Sequence, residues 1–365
     1  MRALISANAA LIVAGVLTFA LMGAGQSVYG PALPVFTRNF GLAAGQASWL
    51  VSAQWIGSAV GVAVMFLLGR HIGPRHALGI MAAGAGLVAV SPALWPALGA
   101  SVIFGAGYGI AASVFNPRVL VAFADKGPSM LSLLNATFAA GAILAPLVFV
   151  AIGGDPQLAF GGIAALCAVV FLIAGPDRGR AEAQARPTQA FRFRPLILLF
   201  ALAGIATEAS LIGLGPTALI RAGSTEAEAA QLLSAFFVTF LISRTVLIFV
   251  AHVVRPFTIY LIAMAFAAVC GMAATVLPPG VFFVALGASA GWFFPGAYVT
   301  ATRLMGDHPN VAPTILAAGL VGGISSPVIV ASLTEGMGER GFFWLIGGTA
   351  VVVTLAALAL RRRFD

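Results

Sequence analysis

The chain has 365 residues, of which 61% are hydrophobic and only 8% are charged, with a mean hydropathy of +1.05. Soluble domains carry about 25% charged residues, so this composition excludes an aqueous exterior and leaves lipid as the solvent for most of the surface. The formal net charge of +8 does not indicate nucleic-acid binding, because the basic residues stand in short loops and form no continuous face. We therefore expect membrane lipids, and no nucleic acid, as partners.

Twelve uncharged or nearly uncharged runs follow in chain order, and most reach the roughly 20 residues that cross a bilayer core. The first run is too long for the apolar part of a signal peptide, so it predicts a membrane span. A single segment in lipid can hydrogen-bond all its own backbone N–H and C=O groups only as a helix. The predicted fold class is an all-α polytopic membrane protein with twelve transmembrane helices in two pseudo-symmetric six-helix bundles. The predicted spans are 8–36, 46–69, 77–95, 97–117, 129–151, 157–175, 195–220, 229–251, 256–277, 281–302, 310–334 and 342–360.

The basic residues predict the orientation of these spans. With both termini in the cytoplasm, 15 of the 19 lysines and arginines fall on the inner side. Arg38, Arg221 and Arg340 fall on the outer side, and Arg244 lies within a span. Because short cytoplasmic loops are enriched in positive charge, we expect a multi-pass protein of the cell (inner) membrane with cytoplasmic termini.

The longest and most polar connection, residues 176–194, follows the sixth span. It predicts a cytoplasmic linker between an N-terminal six-helix bundle, 1–175, and a C-terminal six-helix bundle, 195–365. Two motifs recur across this linker. A Gly-x-Ile-x-x-Pro pattern ends at Pro146 in span five and again at Pro327 in span eleven. Leu-x-Ser-Ala ends at Ala53 and again at Ala235, with almost the same offset, which indicates an internal repeat.

The recurring motif also predicts a moving joint in spans five and eleven. Glycine lets helices approach closely, and proline removes a backbone hydrogen bond and bends the helix. The alternative is that glycine and proline are simply common in membrane helices. The candidate gating and bending residues are Gly141, Pro146, Gly322, Gly323 and Pro327.

Glu208 stands apart from the other ten acidic residues, because it alone lies near the middle of a span. A charged side chain at that depth costs about 2.5–3.5 kcal/mol on insertion scales. We therefore expect Glu208 to face the bundle interior or a wet cavity, and to bind the polar groups of a solute or exchange a proton. The alternative is a protonated glutamate that hydrogen-bonds a neighbouring helix. Gln26 precedes Glu208 by the same offset as Ala53 precedes Ala235, so it is the counterpart of Glu208 in the repeat.

Arg244 lies within the eighth span, nearer the cytoplasmic end than Glu208. It could pair with Glu208, bind an anion through its planar guanidinium, or extend to the cytoplasmic interface. Uncharged polar and aromatic side chains supply amide hydrogen bonds and flat apolar faces, which suit a sugar, although helix packing is the alternative for each aromatic. These candidates are Gln26, Tyr29, Gln54, Trp55, Tyr108, Asn116, Asn135, Trp292 and Tyr298.

Twelve spans, cytoplasmic termini, a six-plus-six repeat and a central basic loop resemble the major facilitator superfamily. Several segments resemble its fucose/glucose (sugar:proton symporter-like) branch more narrowly: the glycine-rich run 105–117, Asn135 with the motif of span five, Glu208, Phe294-Pro295 and the motif 321–327. The resemblance implies proton-coupled sugar transport. The chain departs from the pattern where Gln26 replaces an acid in span one and where Arg70 replaces the acid of the loop after span two.

The sequence thus predicts a secondary active transporter that moves a small polar solute, sugar-like first, by alternating access, with proton coupling through Glu208. An exporter of amphipathic compounds is the alternative within transporters, and a non-transporting sensor or lipid-handling protein is the alternative of another class. No HExxH, P-loop lysine or nucleophile-elbow motif is present, so we expect no enzyme. We expect a monomer that has no cofactor and no metal. Its expected partners are the solute, protons and membrane lipids.

Overall fold

The computed structural model describes residues 8–43, 45–68, 72–123, 126–174, 191–306, 308 and 310–364. Residues 176–190 of the predicted linker, and Arg70, lie outside this part of the chain. The described residues form twelve long helices and one short 3-10 turn, Gln46–Ser48. The helices are α1 (Ala9–Asn39), α2 (Trp49–Leu68), α3 (Pro74–Ala89), α4 (Leu94–Phe123), α5 (Gly127–Ala151), α6 (Pro156–Ile173), α7 (Pro195–Arg221), α8 (Glu226–Val250), α9 (Pro256–Ala273), α10 (Pro279–Met305), α11 (Val311–Thr334) and α12 (Gly341–Phe364).

The prediction of an all-α membrane protein is confirmed, with eleven of these helices long and apolar enough to span a bilayer. The exception is α3, whose 16 residues cover only about 24 Å at 1.5 Å per residue. The predicted third span ran to residue 95, but α3 ends at Ala89. Pro92 explains the difference, because a proline disfavours helical geometry in the residue before it and offers no N–H of its own.

The fourth span is longer than predicted, because α4 continues past Pro117 to Phe123. An internal proline removes one hydrogen bond and bends a helix without ending it when neighbouring helices support the chain. Other helices begin where the sequence supplies a start signal. Asp155 accepts hydrogen bonds from the first turn of α6, and Thr225 forms a reciprocal capping box with Glu228 at the start of α8.

Contacts divide the described chain into two compact units. Unit 1 contains α1–α6, and unit 2 contains α7–α12 together with the turn Gln46–Ser48. Within unit 1, α1 packs on α5, α2 on α4, and α3 on both α4 and α6. Within unit 2, α7 packs on α11, α8 on α10, and α9 on both α10 and α12. The same order of packing therefore recurs in the two units.

Two arginines anchor the start of α3 and the loop before it inside unit 1. The Arg75 guanidinium donates to the carbonyl of Ala174, just beyond α6. It also lies 5.7 Å from the centre of the Phe171 ring, within the range of a cation–π contact. Arg118 donates to the carbonyl of Ile72 in the same loop at 3.4 Å. Arg118 thus holds this loop, and Arg75, the second residue of α3, holds the start of α3 against the end of α6.

Candidate functional site

Glu208 lies at the middle of α7, thirteen residues after Pro195, which corresponds to about 20 Å of helix. Its side chain is half-buried. The oxygen Oε2 is shielded from solvent and has no hydrogen-bond partner among the described residues. The preceding Thr207 does not supply one, since its hydroxyl donates to the carbonyl of Ala203 at 2.8 Å. An unsatisfied buried carboxylate oxygen is costly, so this atom is suited to accept a proton or a donor from a solute.

Arg244 supplies a positive charge in the same unit. It lies on α8, six residues before the helix ends at Val250, and it is within electrostatic range of Glu208. Its guanidinium carbon lies 4.4 Å from the centre of the Phe240 ring, one turn earlier on the same helix. The Nε atom is shielded from solvent. Opposite charges close to each other offset part of the desolvation that each would suffer alone, and the ring adds a cation–π attraction.

Helix α10 crosses α8 at the turn that carries Arg244. The indole Nε1 of Trp292 donates to the carbonyl oxygen of Ser243 at 2.6 Å. A Cβ added to Gly291 would lie 2.9 Å from the Phe240 carbonyl oxygen and 3.4 Å from Cγ of Arg244. Real Cβ atoms are essentially never closer than 3.0 Å to such atoms, so glycine at 291 allows this close crossing.

In unit 1, the counterpart of Glu208 is already hydrogen-bonded. The Tyr108 hydroxyl donates to Oε1 of Gln26 at 2.8 Å, and Gln26 is only 8% exposed. Phe138 meets the Tyr108 ring edge-on at 6.4 Å between centroids. The position equivalent to Tyr108 in the repeat of unit 2 is the buried Ala290. The hydroxyl that satisfies Gln26 therefore has no counterpart beside Glu208.

Tyr29 lies in the packed interior of unit 1. It is 0% exposed, and its hydroxyl donates to Oγ of Ser101 at 2.9 Å. Its ring meets Phe160 edge-on at 4.9 Å and lies 6.5 Å from Phe104. Tyr29 is enclosed on all sides, and its hydroxyl joins α1 to α4 inside unit 1.

Four other sequence candidates differ in exposure. Gln54 is 2% exposed on α2, whereas Trp55 beside it is half-buried. Asn116 is half-buried on α4, and its Oδ1 is shielded with no hydrogen-bond partner among the described residues. Asn135 is exposed on α5 and donates to the carbonyl of Leu131 at 2.9 Å. The structure thus joins Gln26 and Tyr108 by a direct hydrogen bond. Within the part of the chain that it describes, it brings Gln54, Trp55, Asn116 and Asn135 into no such pair with another sequence candidate.

In unit 2, Trp292 and Tyr298 are both half-buried on α10. The Tyr298 ring lies 5.3 Å from that of Phe294, one turn earlier. The indole N–H of Trp292 is engaged with Ser243, which the sequence could not show. Ser243 itself is 7% exposed and was not among the sequence candidates.

The candidate bending residues lie at two equivalent helix contacts. In unit 1, a Cβ on Gly141 would overlap the carbonyl of Ala20 on α1, with the carbonyl carbon at 2.7 Å. In unit 2, a Cβ on Gly322 would overlap the carbonyl of Leu202 on α7 and lie 3.1 Å from the nitrogen of Ala206. Pro146, Pro327 and Gly323 are buried in α5 and α11. These contacts require glycine at 141 and 322 whether or not the helices move.

A family model identifies the family of the chain. The family model of the Major Facilitator Superfamily matches residues 15–318. No curated protein sequence matches the chain.

Solved structures with the same fold include several transporters. A mutant of the peptide transporter POT has a TM-score of 0.81 at 14% identity, covering 97% of this chain and 94% of that one. The D-xylose-proton symporter has a TM-score of 0.75 at 14% identity, covering 95% and 96%. A mutant of the nucleoside transporter NupG has a TM-score of 0.75 at 16% identity, covering 97% and 99%. At these identities the similarity concerns the fold alone.

Proposed function

Because this multi-pass chain belongs to the Major Facilitator Superfamily, we propose that it is a secondary transporter that carries a small polar solute, sugar-like first, across the cell membrane by alternating access. The transport is coupled to protons through Glu208. Two six-helix halves, unit 1 and unit 2, supply the repeat on which such transporters operate. Both termini lie in the cytoplasm, as the distribution of basic residues predicts.

One observation carries this proposal, namely the shielded Oε2 of Glu208 without a hydrogen-bond partner among the described residues. An ionised oxygen left in that state at mid-span is unfavourable by several kcal/mol. Either a proton or a hydroxyl donated by a solute relieves the cost. A protonated Glu208 can also donate a hydrogen bond to a solute hydroxyl, so proton and solute can bind and cross together, which is the physical basis for coupling solute to proton.

A polyhydroxylated neutral solute matches the donors and acceptors found separately in each unit. Glu208 accepts hydrogen bonds when ionised and donates one when protonated. The amide nitrogen of Gln26 remains as a donor while Tyr108 occupies its oxygen. The xylose and nucleoside transporters of the same fold act on molecules with several hydroxyls, which supports a sugar-like solute as the first to test.

The decisive test is uptake into proteoliposomes with an imposed pH gradient, inside alkaline. Labelled xylose, a nucleoside, a dipeptide and an amphipathic cation form the panel. We expect the wild type to accumulate a polyhydroxylated solute above equilibrium. Glu208→Gln can still donate and accept but cannot release a proton, so it should equilibrate the solute without accumulating it. Glu339→Gln, an exposed acid outside the helices of unit 2, is the matched control and should behave as wild type.

Each other outcome has a defined meaning. Accumulation by Glu208→Gln with the wild-type pH dependence contradicts coupling through this residue. Movement of the amphipathic cation alone favours an exporter. If the wild-type protein moves none of the four solutes, the polar-solute proposal fails, and a sensor or lipid-handling role takes its place.

A further inference from the structure

The crossing of α8 with α10 differs from the equivalent crossing in unit 1. In unit 1, glycines on both helices face backbone of the partner, and a Cβ at any of them would overlap a carbonyl group. In unit 2, the glycines are retained on α10 but not on α8. The unit 1 glycines are Gly57 and Gly61 on α2 and Gly105 and Gly109 on α4, and their counterparts in the repeat are Thr239, Ser243, Gly287 and Gly291.

Side-chain hydrogen bonds join the helices of the unit 2 crossing. The Thr239 hydroxyl donates to the carbonyl of Val284 at 2.6 Å. Trp292 donates to the carbonyl of Ser243, also at 2.6 Å. The residue equivalent to Trp292 in unit 1 is Ile110, which has no polar group. Directional bonds therefore contribute to the α8–α10 crossing, whereas at the four glycines of the α2–α4 crossing the helix backbones approach each other closely.

The Trp292 bond ends on the residue next to Arg244. Ser243 also turns its hydroxyl back to the carbonyl of Phe240 at 2.9 Å, and the Phe240 ring lies under the guanidinium. Gly291 on α10 faces this turn, since a Cβ added there would lie 3.4 Å from Cγ of Arg244. The turn from Phe240 to Arg244 is thus held by a hydrogen bond within α8 and by another from Trp292 of α10.

We infer that Trp292 is a positioning residue for Arg244: its indole N–H, bonded to the Ser243 carbonyl, holds the α8 turn so that the guanidinium stays on Phe240 and acts on Glu208. The inference rests on the proposed function, in which Glu208 exchanges a proton. In this arrangement the indole N–H of Trp292 is hydrogen-bonded within the protein, so it does not donate to a solute. The arrangement occurs in the half that carries the acid, since Val62 stands where unit 2 has Arg244.

The test measures the protonation of Glu208 directly, by infrared absorption of the carboxylic acid in purified protein over a pH series. The signal is assigned by its loss in Glu208→Gln. Trp292→Phe keeps an aromatic side chain and removes the N–H together with the five-membered ring that carries it. A nearby positive charge favours the ionised carboxylate, so a guanidinium that is no longer held in place should leave a larger protonated fraction of Glu208 at a given pH.

Two further variants separate positioning from packing. Arg244→Met should raise the protonated fraction at least as much as Trp292→Phe, and adding Trp292→Phe to it should change nothing more. Thr239→Val removes the other α8–α10 hydrogen bond, so it should lower thermal stability while leaving the pH series at wild type.

The inference is overturned if Trp292→Phe titrates as wild type, if it still shifts the signal in the Arg244→Met background, or if Thr239→Val produces the same shift. Because the infrared signal needs no transported solute, failure of the transport assay and failure of this inference are distinguishable.

Discussion

Replacing Gly141 by alanine should open the contact between α1 and α5. The new Cβ would overlap the carbonyl oxygen of Ala20 and lie 2.7 Å from its carbon, where at least 3.0 Å is needed. Both obstacles are backbone, so the helices must separate by on the order of 1 Å, which forfeits a quarter to a half of each dispersion contact. Overpacking of this kind costs about 1–3 kcal/mol, and we expect about 3 kcal/mol here.

A matched variant isolates the packing effect from helix propensity. Gly162 on α6 has nothing within 4 Å of an added Cβ, so Gly162→Ala gains only the propensity difference of about 1 kcal/mol. Gly141→Ala gains the same and loses about 3 kcal/mol, which leaves it about 2 kcal/mol less stable than wild type. At roughly 2–4 °C per kcal/mol for units of this size, the two variants should differ by about 6–12 °C.

The two cysteines provide an assay for each unit. Cys167 is buried in unit 1 and Cys270 in unit 2, and the sequence has no others. In a Cys270→Ala background, a thiol-reactive dye therefore reports the unfolding of unit 1 on heating. Equal melting temperatures for Gly141→Ala and Gly162→Ala, or a higher one for Gly141→Ala, would refute the argument from packing.

Three smaller predictions concern the polar groups. Tyr29→Phe should lower the free energy of unfolding by about 1 kcal/mol, because the buried bond to Ser101 is lost, while uptake kinetics stay at wild type; a changed KM would show that Tyr29 meets the solute. Tyr108→Phe should raise the KM of uptake by no more than about fivefold, because Gln26 loses the bond of about 1 kcal/mol that holds its amide in place, and unchanged uptake would remove the pair from the site. Arg244→Lys keeps the charge but loses the planar group on the ring, so KM should rise roughly tenfold or less, and wild-type kinetics would show that charge alone suffices.

The sequence predicted the helices well because lipid imposes a rule that composition reveals directly. The exceptions are at prolines, where the effect depends on neighbours. Pro92 follows the last turn of α3 and ends the span early, whereas Pro117 sits inside a supported helix that continues to Phe123. The same residue type gave opposite outcomes, and only the packing around each distinguishes them.

The candidate site was predictable where a residue is anomalous for its surroundings. Glu208 and Arg244 are conspicuous as charges within apolar runs, and the repeat offset relates Gln26 to Glu208. Partners far along the chain were not predictable. Tyr29 looks like a solute contact until Ser101, 72 positions away, is seen to accept its hydroxyl. Trp292 likewise has a polar group whose partner, a backbone carbonyl on another helix, leaves no signal in the sequence.

The two helix crossings also differ in how they tolerate errors of register during assembly. Glycines spaced one turn apart, as at 57 and 61 or 105 and 109, present nearly the same smooth surface after a slip of one turn, so a newly inserted α2–α4 pair can join in a shifted alignment. In unit 2, the side chains of Thr239 and Ser243 face Gly287 and Gly291, and a slip of one turn would set one of them against Phe283 or Pro295 instead. Assembly of the first half therefore depends on its remaining helices to select the correct alignment. In the second half, the α8–α10 crossing itself disfavours a shifted alignment.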